Sequence, residues 1–304
     1  MRSTLFLLLT LLLALGCDGT TASDAGGGGS VAGPGDVDSG GTALPTTIGT
    51  AERPAAFHVP RAHDGTTALP LLVLLHGYSA SGGVQDTYLG ISRATRNAGF
   101  YLAIPDGTVD SRSNRFWNAT PGCCNFDGSS VDDVAYLMGL VDEIEALAPI
   151  RDVYFFGHSN GGFMSYRMAC EHADRISAIA SLAGADFLTE AECGASQPVS
   201  VLQVHGDMDT TIPFTGTAGA YPSAPDNVAR WAGYAGCDDT VTVGDALDLD
   251  NGLAGAETTV ERRDTGCTGA DAALWTIVGG SHIPALTGGD FPTLLLEWLD
   301  AHGR

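Results

Sequence analysis

From Leu69 onward, short apolar runs alternate with amphipathic stretches. Leu71-Leu72-Val73-Leu74-Leu75 is unbroken aliphatic sequence, the pattern of a parallel strand covered on both faces. The segment 85–97 predicts a helix and 101–104 a short strand. Residues 105–129 carry Gly, Pro, Asn and Ser without periodicity and predict a long ordered loop. Ser129 or Ser130 then offers a cap for a helix over 131–147, with Asp132 and Asp133 in its first turn, where the dipole favours acids. Further strands are expected at 152–156, 176–182, 199–204 and 273–278, and helices at 161–170, 225–234 and 291–302. Alternation of this kind predicts a mostly parallel, doubly wound α/β sheet in a single domain. No internal repeat interrupts it.

The N-terminal part follows a different pattern. One Arg precedes a Leu-rich run of about eleven residues, which is too short for a bilayer span of about 20 and fits the apolar region of a secretory signal. Ala14-Leu15-Gly16-Cys17 resembles a lipobox, so residues 1–17 are expected to be a lipoprotein signal with Cys17 as the lipidated residue. An ordinary signal peptide cut elsewhere is the alternative. Residues 18–47 are Gly, Ser, Ala, Thr and Asp with little to bury, which predicts a flexible tether. Residues 48–304 are long enough for one α/β core.

A net charge of −22, with every one of the 14 basic residues an Arg, repels phosphate backbones and argues against nucleic acid as a partner. It also disfavours electrostatic attachment to anionic lipid, which leaves a lipid on Cys17 as the membrane contact. There is no signal for assembly, and a monomer is expected. If Cys17 carries lipid, Cys123, Cys124, Cys170, Cys193, Cys237 and Cys267 remain, an even set consistent with disulfides in an exported protein. Cys237 with Cys267 is the preferred pair, because both flank one polar insertion; the partners of the other four stay open. Metal binding by Cys123-Cys124 lacks a supporting C-x-x-C or H-x-x-x-H pattern. Asp248-Leu249-Asp250-Asn251-Gly252 fails the EF-hand spacing and reads as a turn.

The chemistry is carried by Gly157-His158-Ser159-Asn160-Gly161. This is G-x-S-x-G between a predicted strand and a predicted helix, the context in which the motif forms a sharp turn exposing a serine hydroxyl in α/β-hydrolase folds. Serine at its ordinary acidity is a poor nucleophile and needs a base and an orienting acid. In this fold the chain order is Ser, acid, His. His282, just past the last strand, is the expected base, and His302 near the C-terminus the weaker alternative. Asp209, in the loop after strand 199–204, is the expected acid, with Asp207 as runner-up. Backbone N–H groups of Tyr78 and Asn160 are the expected oxyanion donors. Trp117 is expected either to line the substrate cleft or to pack. His158 and His205 are expected to orient loops, and no metal or cofactor is needed.

Taken with His76-Gly77, Trp117-Asn118-Ala119, Cys123-Cys124, Val131-Asp132-Asp133-Val134, Met168-Ala169-Cys170-Glu171, His205-Gly206-x-x-Asp209-x-x-Ile212-Pro213 and Gly279-Gly280-x-His282, the motif order resembles the polyhydroxybutyrate depolymerase and feruloyl esterase family of secreted bacterial serine esterases. The resemblance covers about residue 48 to the end. It implies the triad Ser159, Asp209 and His282, export, and activity on esters of secreted or plant polymers. Ile283-Pro284-Ala285 stands where many relatives carry Trp beside the substrate, so substrate identity is open between a feruloylated or acetylated polysaccharide and a polyhydroxyalkanoate. The polysaccharide is preferred because no separate polymer-binding domain is read in the chain. A serine peptidase or a non-catalytic binding protein on the same fold are the rivals.

Overall fold

The computed structural model describes residues 43–304. The expected leader, the Cys17 lipidation site and the tether up to residue 42 lie outside the described residues. Ordered chain begins earlier than residue 48. β1 (Thr47–Gly49) pairs antiparallel with β2 (Pro54–His58), and the Thr46 carbonyl accepts from Phe57 N–H.

The chain then continues through β3 (Leu69–Leu75), α1 (Gly82–Leu89), α2 (Ile91–Ala98) and β4 (Tyr101–Ile104). A small hairpin, β5 (Thr108–Val109) and β6 (Arg115–Phe116), lies in the long loop before α3 (Asp133–Leu147). Next come β7 (Ile150–His158), α4 (Asn160–Glu171), β8 (Ala178–Leu182) and β9 (Ser200–Gly206). The remainder is α5 (Ala224–Tyr234), β10 (Thr242–Val243), β11 (Thr258–Arg263), β12 (Ala272–Ile277) and α6 (Phe291–Ala301). Ten strands form one sheet in the order β1-β2-β4-β3-β7-β8-β9-β12-β11-β10. From β4 to β12 all neighbours run parallel, and the two strands at either edge are antiparallel.

The apolar run in β3 is explained by the two layers it feeds. Leu71, Val73 and Leu75 point into a core shared with α3, α4 and α5, while Leu72 and Leu74 point into the opposite core under α2 and α6. All five are fully buried, which at about 25 cal/mol per Å² makes each worth on the order of 2 kcal/mol. No helix among the described residues is long and apolar enough to cross a membrane.

Two local expectations are corrected. The single helix over 85–97 is two, because Gly90 takes a left-handed conformation (φ 70°) and its N–H closes α1 on the Asp86 carbonyl. The cap of α3 is Asp132, whose carboxylate accepts from Ala135 N–H at 2.9 Å. Ser129 is instead tied into a turn by Asn125. Cys237 and Cys267 are bonded, as expected; Cys170 pairs with Cys193, and Cys123 with its neighbour Cys124.

One crossing positions the site. A single residue, Ser159, separates the end of β7 from the start of α4, so strand and helix meet at van der Waals distance. A methyl group on Gly157 would lie 2.1 Å from both the carbonyl carbon and oxygen of Gly161, and neither backbone can move without dragging an element. Gly157→Ala is therefore expected to cost about 3 kcal/mol or more, read as a shifted urea midpoint or as failure to accumulate folded protein.

Candidate active site

Ser159 has φ 54° and ψ −120°, a conformation that costs a non-glycine residue on the order of 1–3 kcal/mol and persists only where its surroundings enforce it. The enforcement is visible. Ser159 N–H donates to the Leu182 carbonyl at 2.8 Å, and its carbonyl accepts from Phe163 N–H, the first bond of α4. The side chain has nowhere to go but out of the elbow, at the positive end of the helix.

Two loops converge on it. The loop after β12 brings His282 Nε2 to 2.9 Å from Ser159 Oγ. The loop after β9 brings Asp209 Oδ2 to 2.7 Å from His282 Nδ1. The alternatives sit elsewhere. Asp207 accepts from Gly279 N–H and pins the two loops together. His302 stacks on Trp298 and faces Asp271.

Asp209 is a buried carboxylate with every acceptor position engaged. Oδ1 accepts from Thr211 and Ile212 N–H at 2.7 and 2.9 Å. Oδ2 faces His205 Nε2 at 3.3 Å as well as His282. Burial pushes its pKa up, but the hydrogen bonds from His205 and His282 outweigh burial and hold the carboxyl well below its ordinary range. His205 is in turn fixed by a buried chain. Tyr166 OH donates to Gln203 Oε1 at 2.8 Å, which turns the Gln203 amide nitrogen toward His205 Nδ1 at 3.0 Å. The proton is thereby left on Nε2, facing Ile212 O and Asp209.

The His282 loop is strapped from the other side. His158 Nε2–H donates to the His282 carbonyl at 2.9 Å, and Tyr88 OH to the Pro284 carbonyl at 2.6 Å. Burial, then the adjacent His282, lowers the His158 pKa to about 4.

Among the described residues, neither Tyr78 N–H nor Asn160 N–H has an intramolecular acceptor. The Asn160 side chain is occupied with Trp117, accepting from its N–H at 2.7 Å and donating to its carbonyl at 3.0 Å. The Tyr78 loop is held by Tyr78 OH donating to Asp110 and by Ser79 in a left-handed conformation (φ 66°). Trp117 does not line the cleft. Its ring is fully buried, and Nε1–H donates to the His76 carbonyl at 3.0 Å. Of the two expectations for Trp117 the packed one is realised: it braces the Tyr78 loop from behind, its indole N–H finding a backbone acceptor inward.

The cleft itself has a volume of about 520 Å³, with Ser159 and His282 on its floor and Tyr78, Val84, Tyr88 and Ile283 on its walls. Val84 and Tyr88 were not legible as site residues; α1 has little sequence periodicity to say which face it presents. Elsewhere, Cys170, Asp186 and Cys193 lie within metal-ligand reach of one another, but the two sulfurs are bonded to each other.

Residues 70–230 match the model of the α/β hydrolase fold, and the chain belongs to that family. NocK of Nocardia uniformis subsp. tsuyamanensis, named for an inferred esterase activity, is 32% identical over 170 residues, 54% of this chain and 48% of that one. Feruloyl esterase B of Piromyces equi is 27% identical over 191 residues, 59% of this chain and 34% of its own. The chain thus spans half or less of these relatives' length. Feruloyl esterase D of Neurospora crassa is 26% identical over 305 residues, 93% of this chain and 90% of that one. Among solved structures, an acetyl xylan esterase from Aspergillus awamori superposes with a TM-score of 0.59 at 14% identity, over 84% of this chain and 98% of that one, which is a likeness of fold.

The buried His158 makes stability pH-dependent. The unfolded imidazole binds a proton near 6.5 and the folded one only near 4, so between those values the unfolded state takes up more proton. Stability is fully present above pH 6.5 and falls as pH drops toward 4, by up to ~3 kcal/mol from this residue. Urea unfolding of wild type and His158→Gln at pH 7, 5 and 4 checks it: the variant is expected to show the shallower decline.

Proposed function

We propose that this chain is an exported serine carboxylic ester hydrolase acting on polysaccharide-linked esters through an acyl-serine intermediate. The observation that carries the reading is the unbroken chain from Asp209 through His282 to Ser159, at 2.7 and 2.9 Å, together with two backbone N–H groups that have no acceptor among the described residues.

Ser159 Oγ attacks the ester carbonyl carbon while His282 Nε2 takes its proton. The carbonyl oxygen becomes an oxyanion and accepts from Tyr78 and Asn160 N–H. Asp209, held ionised, stabilises the imidazolium. Collapse breaks the ester C–O bond, and the alcohol leaves with the proton from His282. Water then enters, gives a proton to His282 and attacks the acyl-serine. The acid departs as Ser159 recovers its proton.

The apolar walls of Tyr78, Val84, Tyr88 and Ile283 suit a cinnamoyl-sized or short acyl group. The names of relatives, feruloyl esterases and a bifunctional acetylxylan esterase/xylanase of Neocallimastix patriciarum, support a plant-polysaccharide ester as substrate. Three disulfides and the apolar leader support export to an oxidising compartment, with a lipid on Cys17 as the proposed anchor.

A hydrolysis panel tests the reading, comparing methyl ferulate, acetylated xylan, a short nitrophenyl ester and polyhydroxybutyrate. Release from the first two is expected, with Ser159→Ala slower by at least about ten-thousandfold. Release from the polyester alone would favour the depolymerase reading instead. His205→Leu is expected to lower kcat on the order of tenfold with KM little changed, since it loosens Asp209 without touching substrate.

A further inference from the structure

A second groove of about 580 Å³ runs past the vicinal Cys123–Cys124 bond and is bordered by Phe126, Phe187, Arg167 and Glu171. Its near edge is unusual. Phe126 is 60% exposed in an otherwise polar loop and lines the groove. It is also held in place. Cys124 adopts a left-handed conformation (φ 79°) to close the bond with Cys123. Asn125 next to it bonds to Asn118 and, twice, to Ser129. The Phe126 ring then meets the Tyr78 ring edge-on at 5.2 Å and 88°. Tyr78 walls the Ser159 cleft and Phe126 the second groove, so the edge-to-face pair lies between the two depressions.

Resting on the esterase reading above, we infer that this second groove binds the sugar chain on the alcohol side of the ester, with Phe126 as its platform. A pyranose or furanose ring presents a row of C–H groups that packs on an aromatic face, and a platform fixed before binding loses little entropy on contact. The ligand is a neutral polysaccharide rather than a uronate-rich one. Arg167 is committed to Glu171 at 2.7 Å, Glu192 adds negative charge to the same groove, and the whole chain carries −22, so polyanions are repelled.

The test uses the full chain in two measurements. First, kcat/KM is measured on a feruloylated arabinoxylan oligosaccharide and on methyl ferulate. The ratio of the two is expected to fall about five- to tenfold in Phe126→Ala, the size of one aromatic contact, and to be restored in Phe126→Trp. Second, Ser159→Ala is titrated with unesterified arabinoxylo-oligosaccharide and with oligogalacturonate. Saturable binding of the first, lost on adding Phe126→Ala, is expected. An unchanged ratio, or preference for oligogalacturonate, overturns the inference while leaving the esterase reading intact. A wild-type protein inert toward both ferulate esters and acetylated xylan overturns the esterase reading itself, and the groove assignment with it.

Discussion

The structure depends on keeping one negative charge, the Asp209 carboxylate, inside the protein and aimed at an imidazole. Burying an isolated carboxylate is costly unless each of its lone pairs is matched. Here two backbone N–H groups fill Oδ1, and two imidazoles face Oδ2. Everything upstream maintains that match. The Tyr166–Gln203 pair sets which nitrogen of His205 carries the proton, and His205 holds the carboxylate that holds His282. A polar network this deep contributes only when every member is satisfied, which is why Gln203 and Tyr166, fully buried in helix and strand, are polar at all.

The parallel sheet brings the parts together. β3, β7, β9 and β12 all end at the same edge, and each hands one element of the site to a loop: Tyr78, Ser159, Asp209 and His282. Adjacent strands lie about 4.8 Å apart, so Ser159 and His282, 123 residues apart along the chain, need only short loops to meet. Strain is concentrated where reach is shortest. Ser159 and Ser79 both have positive φ, and each adjoins a proposed oxyanion donor, Asn160 or Tyr78, whose N–H has no acceptor among the described residues.

Much of this was legible in the sequence. The central strands are continuous apolar runs because both faces are covered, and the motif around Ser159 stands between a strand and a helix in the sequence as in the fold. The choice of Asp209 over Asp207 matches the geometry, since a residue directly after the strand can only reach back to the neighbouring loop, as Asp207 does with Gly279. What escaped was set by tertiary context. The edge strands β1, β2, β10 and β11 are short and half-polar, so their pattern does not stand out from loop. The split at Gly90 is invisible to helical periodicity because α1 has little of it to break: Gln85 is buried and Val84 exposed. The sequence leaves Trp117 open between lining the cleft and packing, since an indole has no periodic signal for which side of a loop it faces; its buried ring takes the second course. The vicinal Cys123–Cys124 bond was not separable from other pairings by spacing.

In the proposed mechanism Asp209 and His282 together make the Ser159 oxygen nucleophilic. Intact-mass measurement after exposure to a fluorophosphonate at neutral pH tests it directly. A single adduct mapped to Ser159 is expected in wild type, with labelling slowed by orders of magnitude in both His282→Ala and Asp209→Asn. Rapid labelling that is indifferent to either substitution, or an adduct on another residue, would contradict the account.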